Sequence, residues 1–500
     1  MVMEDYSLGF QEQTPPNGYY VYDNEGLYYD NIYMDGGALW GEGKLEVLDS
    51  DVEVKSDSFI FHFDSTFAVI RDFHRDRGFR SGAYYPEVDA SEAEFVWYTK
   101  EGRVVLRSMG TPIKIFGGEG DFEGELTIME KGMIGDGVMT VGQIKIEDDS
   151  IMFNEMDFFS DGSKFIIIDE NDPSQYHFVA ENVHVDYDVY SHSTIFETRN
   201  VGKALAYFPL HHYRTSMSKG TYTRELNELK MEGVSSYVKD NYFVATAPEA
   251  DSLKFNAKES FYNVDTRSIL VTGVPYIYTA DATITPDKLE VTILESGVIK
   301  KLENAIIEAD QETKLHKVYE ADVNIFSSND YKGAGKYDYI EIEGKKQHIL
   351  FNNIAVNSDT TTVASGEIPE SQNFYLTERI RFRGTSWLDA SRRFLEFKGE
   401  VRIESDNPAF KGAWLPFERA IVNPDSAFIP IPKRMVSIDG KLLTAGLNYE
   451  VDKRNFYSNF LQPQRDEADK VVLSVSGGLT FDRTTKEFRI GSKEKLTGKT

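Results

Sequence analysis

The sequence predicts an all-β protein, an elongated stack of diverged β-repeats of the β-solenoid or curled-sheet type, with a β-sandwich as the alternative. Three observations carry this. Apolar and polar residues alternate with a period of two in segment after segment, as in "GKLEVLDSDVEV", "GQIKIEDD" and "KLEVTI", the pattern of a strand with one buried face. Short Gly, Asn and Asp clusters such as "NEG", "GGEGD" and "DENDPS" punctuate these segments at the spacing of turns. A motif, Asp-Ser-x-x-Phe-x5-Phe, also returns three times in the first half of the chain.

The first copy of that motif is Asp57, Ser58, Phe61 and Phe67. The second is Asp149, Ser150, Phe153 and Phe159, and the third is Asp251, Ser252, Phe255 and Phe261. The copies lie 92 residues apart (149 − 57) and then 102 (251 − 149). Upstream, "GEGKLEV" at 41–47 matches "GDGVMTV" at 135–141, while the third copy lacks the Gly-x-Gly. Two full copies and a partial third indicate internal duplication. On an uninterrupted strand, residues six apart face the same side, so each Phe pair is expected in the core, with Asp-Ser at the start of the strand.

From these elements we expect an N-terminal β-repeat region with two related units at 1–246. A β-solenoid-like region follows at 247–500. Residues 262–342 read as strands set back to back. "TRELNELKM" (223–231) is the best helical candidate, whereas "LENAIIEAD" (302–310) reads as strand. Residues 382–405 read as strand, turn, strand, with Gly384 and Gly399 at bends. The Pro-rich segment 408–432 is expected to wrap the body rather than extend it. Residues 479–492 read as a hairpin around "DRTT".

Composition narrows the function. There are 82 acidic residues against 54 basic ones, a formal net charge of −28, so a nucleic-acid partner is not expected. The chain has no cysteine, which excludes disulfides, zinc–thiolate sites and cysteine nucleophiles. No apolar run has the ~20 residues of a membrane helix. The start, "MVMEDYSLGFQEQ", lacks a basic segment followed by an apolar one, so the protein is either not secreted or has lost a leader. The end, "GSKEKLTGKT", reads like a cut within a longer chain.

Few segments concentrate reactive side chains. "FPLHHYRTS" (208–216) is the densest. On a strand, His211 and Tyr213 share one face and His212 and Arg214 the other. Neighbouring histidines on opposite faces cannot easily bind one metal, so His211, Tyr213 and Arg214 are candidate binding residues for a sugar or a proton-transfer step. An edge strand with amphipathic side chains is the plainer reading. His62 and His74 lie among Asp and Arg at 62–80, but the signs alternate as on a solvated face. "GGEGDFEG" lacks the Lys-Ser/Thr and helix of a phosphate loop, and "DENDPSQ" lacks calcium-loop spacing. No cofactor or metal site is expected.

Residues 256–300 resemble the OstA-like family of Gram-negative lipopolysaccharide transport. The likeness lies in Ala257, Tyr262, Asp265 and Thr266 around a turn, Ile269, Val271 and Gly273 on a strand, and Ala280, Asp281 and Ala282 leading into the next. The resemblance implies open, curled β-sheets that shield acyl chains. A looser likeness to large β-repeat proteins of Gram-negative envelopes carries no activity with it. The expected function is a non-enzymatic structural or binding segment of a bacterial envelope or surface protein, periplasmic or on the cell surface. Its partners would be other envelope proteins or lipid or glycan ligands. The alternatives are a lipid-handling β-sheet trough, which requires an exposed apolar groove, and a polysaccharide-acting enzyme, which requires a cleft of Tyr, Trp and carboxylates.

Overall fold

The computed structural model describes residues 10–13, 17–198, 206–233, 240–341, 344–407, 410–424 and 427–497. Strand takes up 63% of the chain and helix 6%, so the protein is all-β. Every described ladder is antiparallel, including Gly26–Asp35 with Ala38–Val47 and Ile380–Asp389 with Glu396–Ile403. A curled antiparallel sheet fits this pairing. No parallel rung, the pairing of a β-solenoid, occurs among the described ladders. No helix among the described residues is long and apolar enough to cross a membrane.

Two compact units divide the chain. Unit 1 takes residues 1–247, 256–273 and 292–298, and unit 2 takes 248–255, 274–291 and 299–500.

In unit 1, the strands Gly26–Asp35, Ala38–Val47, Val52–Phe61 and Ser65–Arg75 form one antiparallel block. Gly120–Met129, Gly132–Val141, Ile144–Phe153 and Asp157–Ile168 form a second. The first two strands of each block are offset by 94 residues (120 − 26, 132 − 38) and the last two by 92 (144 − 52, 157 − 65). The difference falls in one hairpin turn, residues 48–51 in the first block and 142–143 in the second.

The duplicated motif marks a bulge in both blocks. Asp57 and Ser58 stand opposite Glu42 alone, because Gly41 pairs with Phe59 and Gly43 with Ser56. Asp149 and Ser150 stand opposite Asp136 alone, between Gly135↔Ile151 and Gly137↔Asp148. In each copy the spare backbone N–H is taken up by the side chain two residues earlier: Ser58 N donates to Ser56 Oγ at 3.0 Å, and Ser150 N to Asp148 Oδ1 at 3.0 Å. Asp-Ser therefore lies in mid-strand, not at the start. The two Phe residues of each copy lie on different strands, joined by turns in which His62 N donates to Ser65 O and Asn154 N to Asp157 O. Phe61 and Phe153 are buried, whereas Phe67 is exposed and Phe159 half-buried. The expected common face fails because a hairpin turn intervenes. The third copy is no bulge: Asp251 and Ser252 follow a short 3-10 turn at Pro248–Ala250 with left-handed φ of 49° and 55°.

The glycines of the shared Gly-x-Gly explain why the blocks bend. Gly41 lies against the Tyr28 ring and hydroxyl, and Gly135 against the Phe122 ring, so a Cβ there would collide with an aromatic ring of the neighbouring strand. Gly124 and Gly137 face each other with φ of +145° and +155°, and a Cβ on either would strike the opposite backbone. The result is a crease across the strands. Ser65–Arg75 pairs with two short strands, Val88–Ala90 and Ala93–Tyr98, one on each side of it. The two half-ladders rejoin at Gly120–Met129, which pairs with both Arg103–Ser108 and Ile113–Ile115.

Unit 2 uses the same device, with Gly384 paired to Gly399 across Ile380–Asp389 and Glu396–Ile403. Residues 302–309 are a strand, and 477–491 form the expected hairpin around residues 483–486. The Pro-rich stretch departs from expectation, since Trp414–Ile421 extends the sheet by pairing with Glu396–Ile403. Residues 408–409 and 425–426 lie outside the described set. In unit 1 the helical candidate at 223–231 is a 3-10 turn, Arg224–Leu226, followed by the strand Glu228–Glu232. Its period never completes an α-turn because Tyr222, Leu229 and Met231 alternate into the core.

Candidate functional site

His211 sits in a 3-10 turn, Pro209–His211, closed by His212 in the left-handed conformation, and not on a strand. It is fully buried, and its ring meets Tyr262 edge to face at 5.3 Å. Nε2 donates to the Arg267 carbonyl at 2.9 Å, which leaves Nδ1 as a buried acceptor without a partner among the described residues. Tyr213 is also buried, packed on Phe243, while His212 and Arg214 face outward. His211, Tyr213 and Arg214 are thus not gathered around one opening.

A denser cluster was hidden from the sequence. Tyr262 Oη and His177 Nδ1 are 2.7 Å apart, His177 Nε2 lies 3.3 Å from Asp169 Oδ2, and Arg267 Nη2 donates to the same oxygen at 2.6 Å. Asp169 Oδ1 accepts the backbone N–H groups of Asn171 and Asp172. A carboxylate only accepts, so His177 carries its proton on Nε2 and accepts a hydrogen bond from the Tyr262 hydroxyl at Nδ1. The Asn171 and Asp172 N–H groups, with His177 and Arg267, hold the Asp169 carboxyl below the usual carboxylate range. Burial pushes His177 and His211 down and Tyr262 up. Each of these groups favours the form already bonded. Asp169 has both oxygens occupied, so its carboxylate is already committed to these donors. "DENDPS" is its turn, with Asp169 as the cap.

Two further histidines are tied down by carboxylates. His74 bridges Asp89 and Asp76, and His184 bridges Asp161 and Asp186. In unit 2, Asp338 accepts from Tyr319 at 2.5 Å, from His348 at 3.0 Å and from Lys346 at 3.2 Å, beside a cleft of about 510 Å³. Arg419 stacks on Trp387 at 4.5 Å while bonding Glu396 at 2.7 Å. These carboxylates, too, are already in use.

The outer face of unit 1 is different. Cross-strand register places Tyr33, Trp40, Ile60, Phe67, Val96, Val105, Thr127, Ile134, Met152 and Phe159 in one unbroken row. Trp40, Ile60, Phe67 and Met152 are 38%, 44%, 37% and 41% exposed. Val96 and Val105 lie deeper, and Val96 floors a cleft of about 310 Å³ between Ile60, Phe67 and Val69 on one side and Glu94 and Arg107 on the other. At ~4.8 Å per strand the row runs roughly 40 Å. Asp186 ends it. Alongside, two residues away on four successive strands, runs a charged stretch of Glu94, Arg107, Glu125 and Asp136, while beside Phe67 the same position is the exposed Val69. The signal was present in "DSFIFHFDSTFAVI", where large apolar residues fall at both parities, so one set must face outward.

The fold defines a class, a creased antiparallel all-β protein with an apolar row on an outer face. No family model, curated protein or solved structure matches the chain.

Proposed function

We propose that this chain is a non-enzymatic binding segment that holds an extended apolar chain, such as an acyl chain, along the outer face of unit 1. The observation behind this reading is the row from Tyr33 to Phe159, narrow and bordered along part of its length by Glu94, Arg107, Glu125 and Asp136. A globular protein partner would need a broader apolar patch, whereas a linear apolar chain matches a narrow row. The closed hydrogen-bond networks of Asp169 and Asp338 favour binding over catalysis. The absence of cysteine and the OstA-like resemblance of residues 256–300 are the grounds for placing it in a bacterial envelope, periplasmic or at the cell surface.

The test is titration of the full chain with a fluorescent polyene fatty acid. Saturable binding is expected. Ile60→Asp with Phe67→Asp, both at exposed positions, should weaken it at least tenfold. Unsaturable binding, or affinity unchanged in the double variant, would overturn the reading.

A further inference from the structure

Arg75 is a buried charged group of unit 1 that makes no ion pair among the described residues. It is 2% exposed, its guanidinium lies 4.0 Å over the Tyr85 ring, and it has no carboxylate within ion-pair distance among the described residues. Nε donates to the Ser50 carbonyl at 2.9 Å and Nη1 to the Asp76 carbonyl at 2.9 Å. Nη2 donates to no protein acceptor among the described residues. Buried charges are normally paired, because leaving water uncompensated is costly.

Arg75 lines a cleft of about 390 Å³, and Arg77 lines the same cleft. Among the described residues, the only polar partner of Arg77 is the weak acceptor Met156 Sδ at 3.6 Å, again with no carboxylate. The acidic residues of this cleft are already engaged. Arg80 holds Asp51, Lys44 holds Glu46 and Glu53 at 2.7 and 2.9 Å, and His74 lies 3.2 Å from Asp76. Two guanidiniums that make no ion pair among the described residues therefore share one opening, with Asp51 and Asp76 acting on Arg75 only through space, in a protein whose net charge is −28.

We propose that this cleft binds a small ligand through an oxyanion, a carboxylate or phosphate group, held by Arg75 and Arg77. The two carbonyls and the Tyr85 ring fix the plane of Arg75, so a two-oxygen anion meets a donor edge that loses little freedom on binding. Phe79, exposed beside the cleft, offers an apolar surface to the rest of the ligand. The inference is independent of the apolar row.

The experiment is calorimetric titration of the full chain with inorganic phosphate and, separately, with citrate, at ionic strength matched with sodium chloride. Saturable binding of at least one is expected, and the arm that saturates identifies the group. Arg77→Gln, at an exposed position, should weaken binding at least tenfold with an unchanged thermal midpoint. Arg75→Lys keeps the charge and loses the fork, and should weaken it similarly. If Arg75→Lys does not fold, Arg77→Gln decides alone. No saturable heat above chloride in either arm, or binding unchanged in Arg77→Gln, would overturn the proposal.

Discussion

Tyr262 and His177, 85 residues apart in the chain, are joined side chain to side chain at 2.7 Å inside unit 1. The bond fixes the histidine tautomer and points Nε2–H at Asp169. Tyr262→Phe keeps the ring and leaves Nδ1 a buried acceptor without a donor. It should cost about 1–3 kcal/mol in chemical denaturation. A change below the error of the measurement would mean that water replaces the hydroxyl.

The same burial sets a pH dependence. His177 and His211 both have pKa values lowered by desolvation. In the unfolded chain they titrate near ~6.5. Their contribution to stability is complete above that value and is lost as pH falls below it toward the folded pKa, because the unfolded state then binds more protons. The denaturation midpoint should fall between about pH 7.5 and about pH 5, and His177→Asn should flatten the decline. His74 and His184 are shifted upward, His74 by its bond to Asp89 and His184 by Asp161 and Asp186 against desolvation. They act in the opposite sense, but their exposure to solvent weakens them.

The motif copies are testable as pairs. Phe153→Ala removes a buried ring and should cost ~3–5 kcal/mol, with Phe61→Ala close behind. Phe67→Ala and Phe159→Ala, on the outer row, should cost less than half as much. Equal losses at all four positions would contradict the hairpin placement.

The crease predicts an unusual sensitivity to the smallest substitution. Gly135→Ala places a methyl group against Phe122, and Gly137→Ala places one against the Glu123 carbonyl at a positive φ. Each should destabilise by about 1–3 kcal/mol. Alanine at Gly132, with φ of +134°, carries backbone strain but meets no atom, and should fall below Gly137→Ala, which has both strain and clash. Thermal melts of the three variants would order them.

Circular dichroism should be dominated by strand, with helix far below the ~30% of an average globular protein. A gel-shift assay should detect no salt-dependent complex with DNA or RNA, given the charge of −28.

Much of the architecture was written in local pattern. Period-two alternation marked the strands, and Gly384 and Gly399 marked bends because glycine inside an alternating run has few other roles. The bulge was half legible: buried positions move from Val52 and Val54 to Phe59 and Phe61, an even-to-odd slip across Asp57 and Ser58. What escaped was long-range. Arg267 reaches Asp169 across 98 positions; the turn at Asp169 is legible, but nothing local marks Arg267 as its partner. His211 stood out by type and proved to be core, because a polar ring with one carbonyl partner can be buried like an aromatic.

Among the turns within the two blocks of unit 1, only the one between the second and third strands differs in length, and it lies at the end of the ladder, away from the bulge and the Gly-x-Gly that faces it. Chain can thus be inserted or deleted at the hairpin tips while the crease keeps its place. A protein built this way can drift quickly in sequence and in loop length, since its ancestry is stored in two glycines and one misaligned pair of residues per block. Comparison of relatives by the position of that misalignment, rather than by residue identity, would follow descent where alignment of letters fails.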